Sequence, residues 1–568
     1  MNIFNLFKKY KSSKVLNTSG VGGELNKKVV LIVLDGFGIV PPSEGNAITS
    51  ARTKFYTDLL TNFPNGELIA SGESVGLPAN EEGNTEVGHL TLSAGRVILQ
   101  DFLRINKDIK NGTFYRNKAF LLALEHIEKN KSNLHLIGLL SNGNVHSSKD
   151  HLYAILEFCR QRGVKNVFLH IILDGRDSPP DDGAKVVAEL EKYLTDNKLG
   201  MIATVSGRFY AMDRDRRWER TELAYNAMVK GNGPTFTSAH EAVADSYSKS
   251  VGDEFIAPSV ITQNGKPVGS VNDKDSVIFF NFRIDRPRQL TMAFTLPDFE
   301  NLKSFEFGYN TDTKKIEVEV TFDKTFNREK ILEDLFFATM TCYQKNIPVT
   351  AIAYDEEKVK LPLPEVLSKK GLKQLRMSES EKERFVTYYF SGLREEVYPG
   401  EDIKIIPSPK ISTYDKKPEM SLPELTNAFM KSFGEHDFTI INIANPDMVA
   451  HTGNFKKTVK AIEAVDWALS QIVQKVYDAG ATAIITADHG NAEELLTYDA
   501  KGFFVTSQTG DRNTDHSNNP VPVIFVNKNL KGKKADIQDG SLADIAPTVL
   551  ALLGVEKPEE MTGNDLCK

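Results

Sequence analysis

Six side chains of metal-ligand type cluster at recurring places in the chain. Asp35 closes the apolar run Val29 to Leu34, Asp447 follows the run Phe438 to Ala444, and Asp488-His489 follow Ala481 to Ala487. His451 lies four residues beyond Asp447, a spacing that puts both on one face if the segment turns helically. A fourth segment, Thr514-Asp515-His516-Ser517, adds an imidazole just before the run Val521 to Val526. Carboxylates mixed with imidazoles suit Mn²⁺, Zn²⁺ or Co²⁺ better than an all-oxygen Mg²⁺ site. Each residue alone has a blander explanation, because an Asp after a strand commonly caps a helix or turn and a single His is usually a satisfied polar group. Their shared position, beyond the ends of several runs, argues for a metal centre.

A hydroxyl accompanies them. Gly83-Asn84-Thr85-Glu86-Val87-Gly88-His89 is a Gly-bounded turn ahead of an apolar segment. At a helix start, the Thr85 hydroxyl would meet backbone N–H groups and a positive dipole end, a favourable place for phosphate. A bound metal would lower its pKa and make it a nucleophile. Simple helix capping by Asn84 or Thr85 explains the segment equally well, and the segment by itself does not decide.

Such residues need a scaffold that brings the ends of distant strands together. The run from Val29 is continuously apolar and rich in β-branched residues, and those from Phe438 and Ala481 repeat its pattern, which marks strands buried on both faces of a parallel sheet. Between the last two, Ile462, Val465, Leu469, Ile472 and Val476 recur at helical spacing within Lys457 to Tyr477. That is a β-α-β unit, and it predicts a doubly wound α/β fold whose ligands gather beyond the carboxyl ends of the strands.

A second set of strands lies between these ends and terminates differently. Leu134 to Leu140 leads into Ser141-Asn142-Gly143, Val167 to Leu173 into Asp174-Gly175-Arg176-Asp177, Met201 to Val205 into Ser206-Gly207-Arg208, and Ser276 to Phe280 into Asn281-Phe282-Arg283. Arginines replace the metal-type acids here, so this set reads as a second α/β domain inserted into the first. The expected division is an N-terminal extension over 1–26, a discontinuous metal-binding domain over 27–100 and 339–568, and an inserted substrate domain over 101–338.

Bulk properties narrow the function classes. A chain of 568 residues exceeds one core. With 26% charged residues and a formal net charge of -7, it offers no electrostatic reason to expect nucleic acid or an anionic membrane as partner. Cys159, Cys342 and Cys567 form no CxxC, and a reducing, cytoplasmic setting fits. No apolar run approaches the roughly 18 residues needed to cross a bilayer. The first 26 residues place Ile3, Phe4, Leu6 and Phe7 ahead of Lys8, Lys9, Lys11 and Lys14, with no arginine and no apolar stretch of signal-peptide length. They read as a loosely ordered extension, with organelle targeting as the alternative.

The ordered motifs resemble the cofactor-independent phosphoglycerate mutases of the alkaline phosphatase superfamily. The resemblance runs from Leu34-Asp35-Gly36-Phe37-Gly38 through Glu86-Val87-Gly88-His89-Leu90, Asp174-Gly175-Arg176-Asp177, Ser206-Gly207-Arg208, Ala211-Met212-Asp213-Arg214-Asp215 and Asn445-Pro446-Asp447-Met448-Val449 to Ala487-Asp488-His489-Gly490-Asn491. It implies an alkaline-phosphatase-like sheet domain, an inserted α/β domain, and two divalent ions, Mn²⁺ foremost with Mg²⁺, Co²⁺ or Zn²⁺ as alternatives. One ion would use Asp447, His451 and His516; the other would use Asp35, Asp488, His489 and Thr85. Substrate residues carried over by the resemblance are His146, Arg176, Asp177, Arg208, Arg214, Arg283, Arg286 and Lys382, with Asp177 as general base and Lys382 stabilising the transferring charge. The implied reaction interconverts 3- and 2-phosphoglycerate through a phosphoenzyme, without 2,3-bisphosphoglycerate, in a monomer whose partner is this small molecule alone.

The chain also departs from that pattern. Thr85 stands where the family has serine, adding a methyl group and a stiffer χ1. Ser141-Asn142-Gly143-Asn144-Val145-His146-Ser147-Ser148 lacks one carboxylate and one histidine of the usual run. Lys382-Glu383-Arg384-Phe385 lacks the usual aromatic-Ala/Pro-His, and the stretch from Pro297 to Lys330 is longer and more charged. Two alternatives therefore stand beside the mutase: a phosphatase or phosphodiesterase using Thr85, and a catalytically impaired relative that binds phosphoglycerate or a protein.

Overall fold

In a computed structural model, the residues described are 28–302, 324–356, 358–496, 512–533, 537 and 539–567, with short strand pieces between 304 and 321. The expected N-terminal extension lies outside them, as does most of the charged stretch after Leu302. The chain divides into two compact units, one of residues 1–100 with 357–568, the other of residues 101–356.

The first unit is built on an eight-stranded sheet in the order Glu401–Ile406, Gln374–Glu379, Phe438–Ile443, Val29–Leu34, Thr482–Thr486, Val521–Val526, Asn65–Ile69, Gly540–Ser541. The first five run parallel. Val29 pairs in register with Phe438 on one side and Thr482 on the other. Every residue of Val29–Leu34 is at most 1% exposed, as its unbroken apolar sequence requires of a strand covered on both faces. The helix Phe455–Asp478 crosses between two of these strands and buries Ile462, Val465, Leu469, Ile472 and Val476. Each such aliphatic side chain contributes about 1.5–3 kcal/mol of burial. Val521–Val526 departs from the parallel pattern and runs antiparallel to both its neighbours.

The second unit carries a nine-stranded sheet. Its main path is Ala351–Tyr354, Phe336–Thr341, Ser276–Phe279, Leu134–Leu140, Val167–Leu173, Met201–Gly207, Ser259–Gln263, Thr235–Phe236. The first six strands are parallel. One expected boundary is corrected here. The return to the first unit falls after Glu356, not at 338/339. Phe336–Thr341 pairs with Ser276–Phe279, and Ala351–Tyr354 then pairs with Phe336–Thr341, so both strands complete the inserted sheet. Among the described residues, no helix is long and apolar enough to cross a membrane.

Candidate active site

Parallel strands all deliver their carboxyl ends to one edge, and four neighbours in the first sheet do so here. Asp35 directly follows Val29–Leu34, Asp447 lies in the short helix Asn445–Ala450 beyond Phe438–Ile443, Asp488 and His489 follow Thr482–Thr486, and Lys382 ends the turn Ser380–Lys382 after Gln374–Glu379. Gly36 makes the tight approach feasible. Its φ is +70°, and a Cβ there would lie 2.8 Å from Asp447 Cβ. Thr85 opens the helix Thr85–Ala94, whose N-cap is Asn84, the Asn84 side chain accepting from Val87 N. Both residues named as capping alternatives are thus in use, Asn84 for the cap and Thr85 one step inside it.

Lys382 Nζ is the hub. It donates to Asp35 Oδ1 at 2.7 Å, Asp447 Oδ2 at 2.7 Å and Thr85 Oγ1 at 3.0 Å. Thr85 Oγ1 also lies 3.0 Å from His489 Nε2. His451 Nε2 is 3.1 Å and His516 Nε2 3.5 Å from Asp447 Oδ1, and the two imidazoles meet each other at 3.2 Å. His516 is oriented through Nδ1 by Gly83 O and His451 by Thr514 O. The seven residues expected as metal ligands are therefore brought together, with Lys382 among them.

Electrostatics follow from burial and mutual charge. Burial alone would raise the Asp35 pKa, but Lys382 and His489 outweigh it and hold the carboxyl at about 2. Burial would lower the pKa of Lys382, yet Asp35, Asp447 and Asp488 together raise it. His489 is likewise held up at about 9 against burial by Asp488, Asp35 and Asp447, while burial and the charged His489 push His516 down to about 3. The two rings stack with centroids 3.9 Å apart. Three buried carboxylates thus lie together, and Asp488 Oδ2 faces His89 Nδ1 at 3.2 Å and His489 Nε2 at 3.7 Å. Donor atoms of Asp447, His489 and His516, and separately of Asp35, His89 and Asp488, all lie within 4.8 Å of one another. Mixed oxygen and nitrogen donors so arranged fit divalent cations of the Mn²⁺ or Zn²⁺ kind.

Three residues here escaped sequence reasoning. His89, four residues after Thr85 on the same helix face, donates from Nδ1 to Thr85 O; its Nε2 accepts from Asn442 Nδ2. Asn442 Nδ2 also donates to Asp35 Oδ2 at 2.6 Å. Asn491 Nδ2 donates to Asp447 Oδ1 at 2.8 Å. The helical offset from Thr85 was a usable signal for His89. Asn442, inside a strand, gave none.

In the second unit the arginines gather around a different core. Arg208, 1% exposed, donates from Nη1 to Asp174 Oδ1 at 2.6 Å and to Asp177 Oδ2 at 2.5 Å. Its Nη2 donates to His146 Nε2 at 2.9 Å. Burial and the adjacent Arg208 hold His146 neutral, with a pKa of about 3. Arg214 and Arg283 both pair with Asp285, at 2.7 and 3.2 Å, and Arg286 donates to Met212 O. Asp285 was not anticipated, although it sits between Arg283 and Arg286 in sequence. Arg176 is the outlying member, exposed and 3.6 Å from Glu254. The departures at 142 and 148 have local uses: Asn142 lies between Lys149 Nζ and Asp182, and Ser148 caps the helix Lys149–Gln161.

Comparison with known proteins matches this arrangement to one family. Residues 105–345 fit the family model described as BPG-independent PGAM N-terminus. A 2,3-bisphosphoglycerate-independent phosphoglycerate mutase of Clostridium beijerinckii is 45% identical over 95% of this chain and 99% of its own length. The enzyme of the same name from Acetivibrio thermocellus is also 45% identical, with the same coverage. A solved structure of Leishmania mexicana phosphoglycerate mutase, at low cobalt concentration, aligns over 95% of this chain and 97% of its own with a TM-score of 0.60 and 31% identity. Identity at this level across nearly the whole chain leaves one conclusion: the chain belongs to the 2,3-bisphosphoglycerate-independent phosphoglycerate mutase family.

Proposed function

We propose that the chain interconverts 3-phosphoglycerate and 2-phosphoglycerate, the glycolytic and gluconeogenic step, through a phosphothreonine at Thr85. The observation that carries this reading is the Thr85 hydroxyl, buried and held at 3.0 Å by both Lys382 Nζ and His489 Nε2. Divalent cations, Mn²⁺ foremost, held by Asp447, His451 and His516 and by Asp35, Asp488, His489 and Thr85, would lower the hydroxyl pKa and offset charge on the phosphoryl oxygens.

Thr85 Oγ1 attacks phosphorus and the bond to the glycerate oxygen breaks; the proton lost by Thr85 is balanced by the one that the departing oxygen gains, so the glycerate oxygen is released as a hydroxyl. Lys382, kept charged by three carboxylates, stabilises the charge that spreads over the transferring group. Arg208, Arg214, Arg283, Arg286 and Arg176 grip the anionic groups of phosphoglycerate, since guanidinium forks match carboxylate and phosphate oxygens. His146 lies beside Arg208 and completes this set. Asp177 takes the proton from the glycerate hydroxyl that receives the phosphoryl group back. Because the donor is the bound substrate itself, 2,3-bisphosphoglycerate plays no part.

The test supplies Mn²⁺-loaded protein with 3-phosphoglycerate alone and follows 2-phosphoglycerate and free phosphate together. The reading expects 2-phosphoglycerate without stoichiometric phosphate. A chelator should abolish the product, and Thr85→Ala should lower its rate by at least about 10³-fold. Phosphate release alone would make the chain a hydrolase. Full activity in Thr85→Ala would remove the phosphothreonine.

A further inference from the structure

Glu493 lies two residues beyond Asn491, 1% exposed, and belongs to none of the roles above. Its carboxylate accepts from four donors. Oε2 takes Gly38 N at 2.9 Å and Asn491 N at 2.8 Å; Oε1 takes Ser517 Oγ and, at 3.0 Å, Asn519 Nδ2. All four are neutral groups, so hydrogen bonds alone hold the buried carboxylate, an arrangement that fixes geometry closely.

The donors lie on three separate segments. Gly38 follows Asp35, Asn491 follows Asp488 and His489, and Ser517 adjoins His516. Two glycines leave room for the carboxylate: a Cβ on Gly38 or on Gly490 would collide with it. Ser517 N also donates to Gly490 O at 3.0 Å, so two of these segments already touch.

We propose that Glu493 is the positioning residue of the metal centre, tying the three loops that carry Asp35, Asp488, His489 and His516 and thereby setting affinity for the cation. The proposal rests on the metal-centre reading given above. Glu493 touches neither cation nor substrate in this role; it acts through the ligands. Gln in its place would keep one acceptor oxygen but turn an NH₂ towards either Gly38 N and Asn491 N or the Ser517 and Asn519 pair, so the loop carrying Asp35 or the loop carrying His516 loses its tie.

Mn²⁺ binding to metal-stripped protein, read by calorimetry alongside the melting temperature, tests this. Glu493→Gln should bind Mn²⁺ about 10–100-fold more weakly, the range for a lost partner of metal ligands. Asp466→Asn is the control, since Asp466 also accepts backbone N–H groups, from Phe55 and Tyr56, but ties no ligand segment. It should lower the melting temperature and leave Mn²⁺ affinity unchanged. Folded Glu493→Gln binding Mn²⁺ like the parent would overturn the proposal. If that variant does not fold, Ser517→Ala, missing one donor, should still weaken Mn²⁺ by roughly tenfold, the low end of that range, and parent-like affinity there would overturn it as well. A parent chain that binds no Mn²⁺ would instead sink the metal-centre reading itself.

Discussion

The two candidate clusters are built on opposite principles. Around Thr85 the inner groups are buried, Asp35, Asp447, Asp488 and His489 fully and Lys382 at 1% exposed, with His451 and His516 towards the edge at 31 and 15%. Around Arg208 only the base is buried, for the Arg214, Arg283 and Arg176 side chains are 33, 38 and 56% exposed. Two of their histidines differ in a related way: carboxylates hold the His489 pKa up, whereas burial and Arg208 push that of His146 down, as burial and His489 do for His516. A group that stabilises charge during bond breaking works best where water is excluded and nothing must reorganise. A group that must seize an anion from solvent works at a rim. Under the proposed function, this contrast is that of a reacting centre in one unit and a grip in the other.

That division can be broken experimentally. Lys382→Met should have the largest effect, lowering kcat by about 10³-fold while KM for phosphoglycerate changes far less. Arg283→Ala should do the reverse, raising KM about 10–100-fold with kcat little altered. Steady-state kinetics on both variants checks this, and equal kcat losses would erase the distinction. A subtler effect concerns protons. His151 in the second unit is held at about 3 by burial, below its ordinary 6.5. The unfolded chain therefore takes up the proton first as pH falls. The contribution is complete above pH 6.5 and is lost as pH falls towards 3. His151→Gln should flatten the slope of stability against pH in that window by up to about 1.4 kcal/mol per unit, measured by denaturant unfolding. Least affected should be Lys192→Ala, which removes an exposed pair with Asp196 and should shift the melting temperature by less than about 2 °C.

Much of the fold was readable because burial on both faces leaves an unmistakable record. Val29 to Leu34 and Phe438 to Ile443 have no polar alternation to confuse them with edge strands. Which sheet a strand joins is not so written. Phe336–Thr341 carries the same apolar character, and only its partner Ser276–Phe279 assigns it to the inserted unit, which is why the second boundary was misplaced. Direction was hidden for the same reason in Val521–Val526. At the site, residues with charge or a following turn announced themselves, as Asp35, Asp447 and Asp488 did. Those acting through one amide or carboxylate, such as Asn442, Asn491 and Asp285, look like ordinary polar residues until their partners arrive from elsewhere in the chain.

The central strand of the first sheet has a consequence for biosynthesis. Val29–Leu34 leaves the ribosome early, yet both its pairing partners come from the last third of the chain; Asp35 and Asn442, which touch, are 407 residues apart. Residues 101–356 are contiguous and contain their own sheet, so they are free to fold while the first strand still waits. The cluster around Asp35 therefore cannot close until the strands that carry Asn442 and lead to Asp488 have been made. A chain cut short between Glu356 and Phe438 would keep the arginines of the inserted unit, lose Asn442 and His489, which contact Asp35, and leave an apolar strand with two unpaired edges, the kind of surface that drives nascent chains to aggregate.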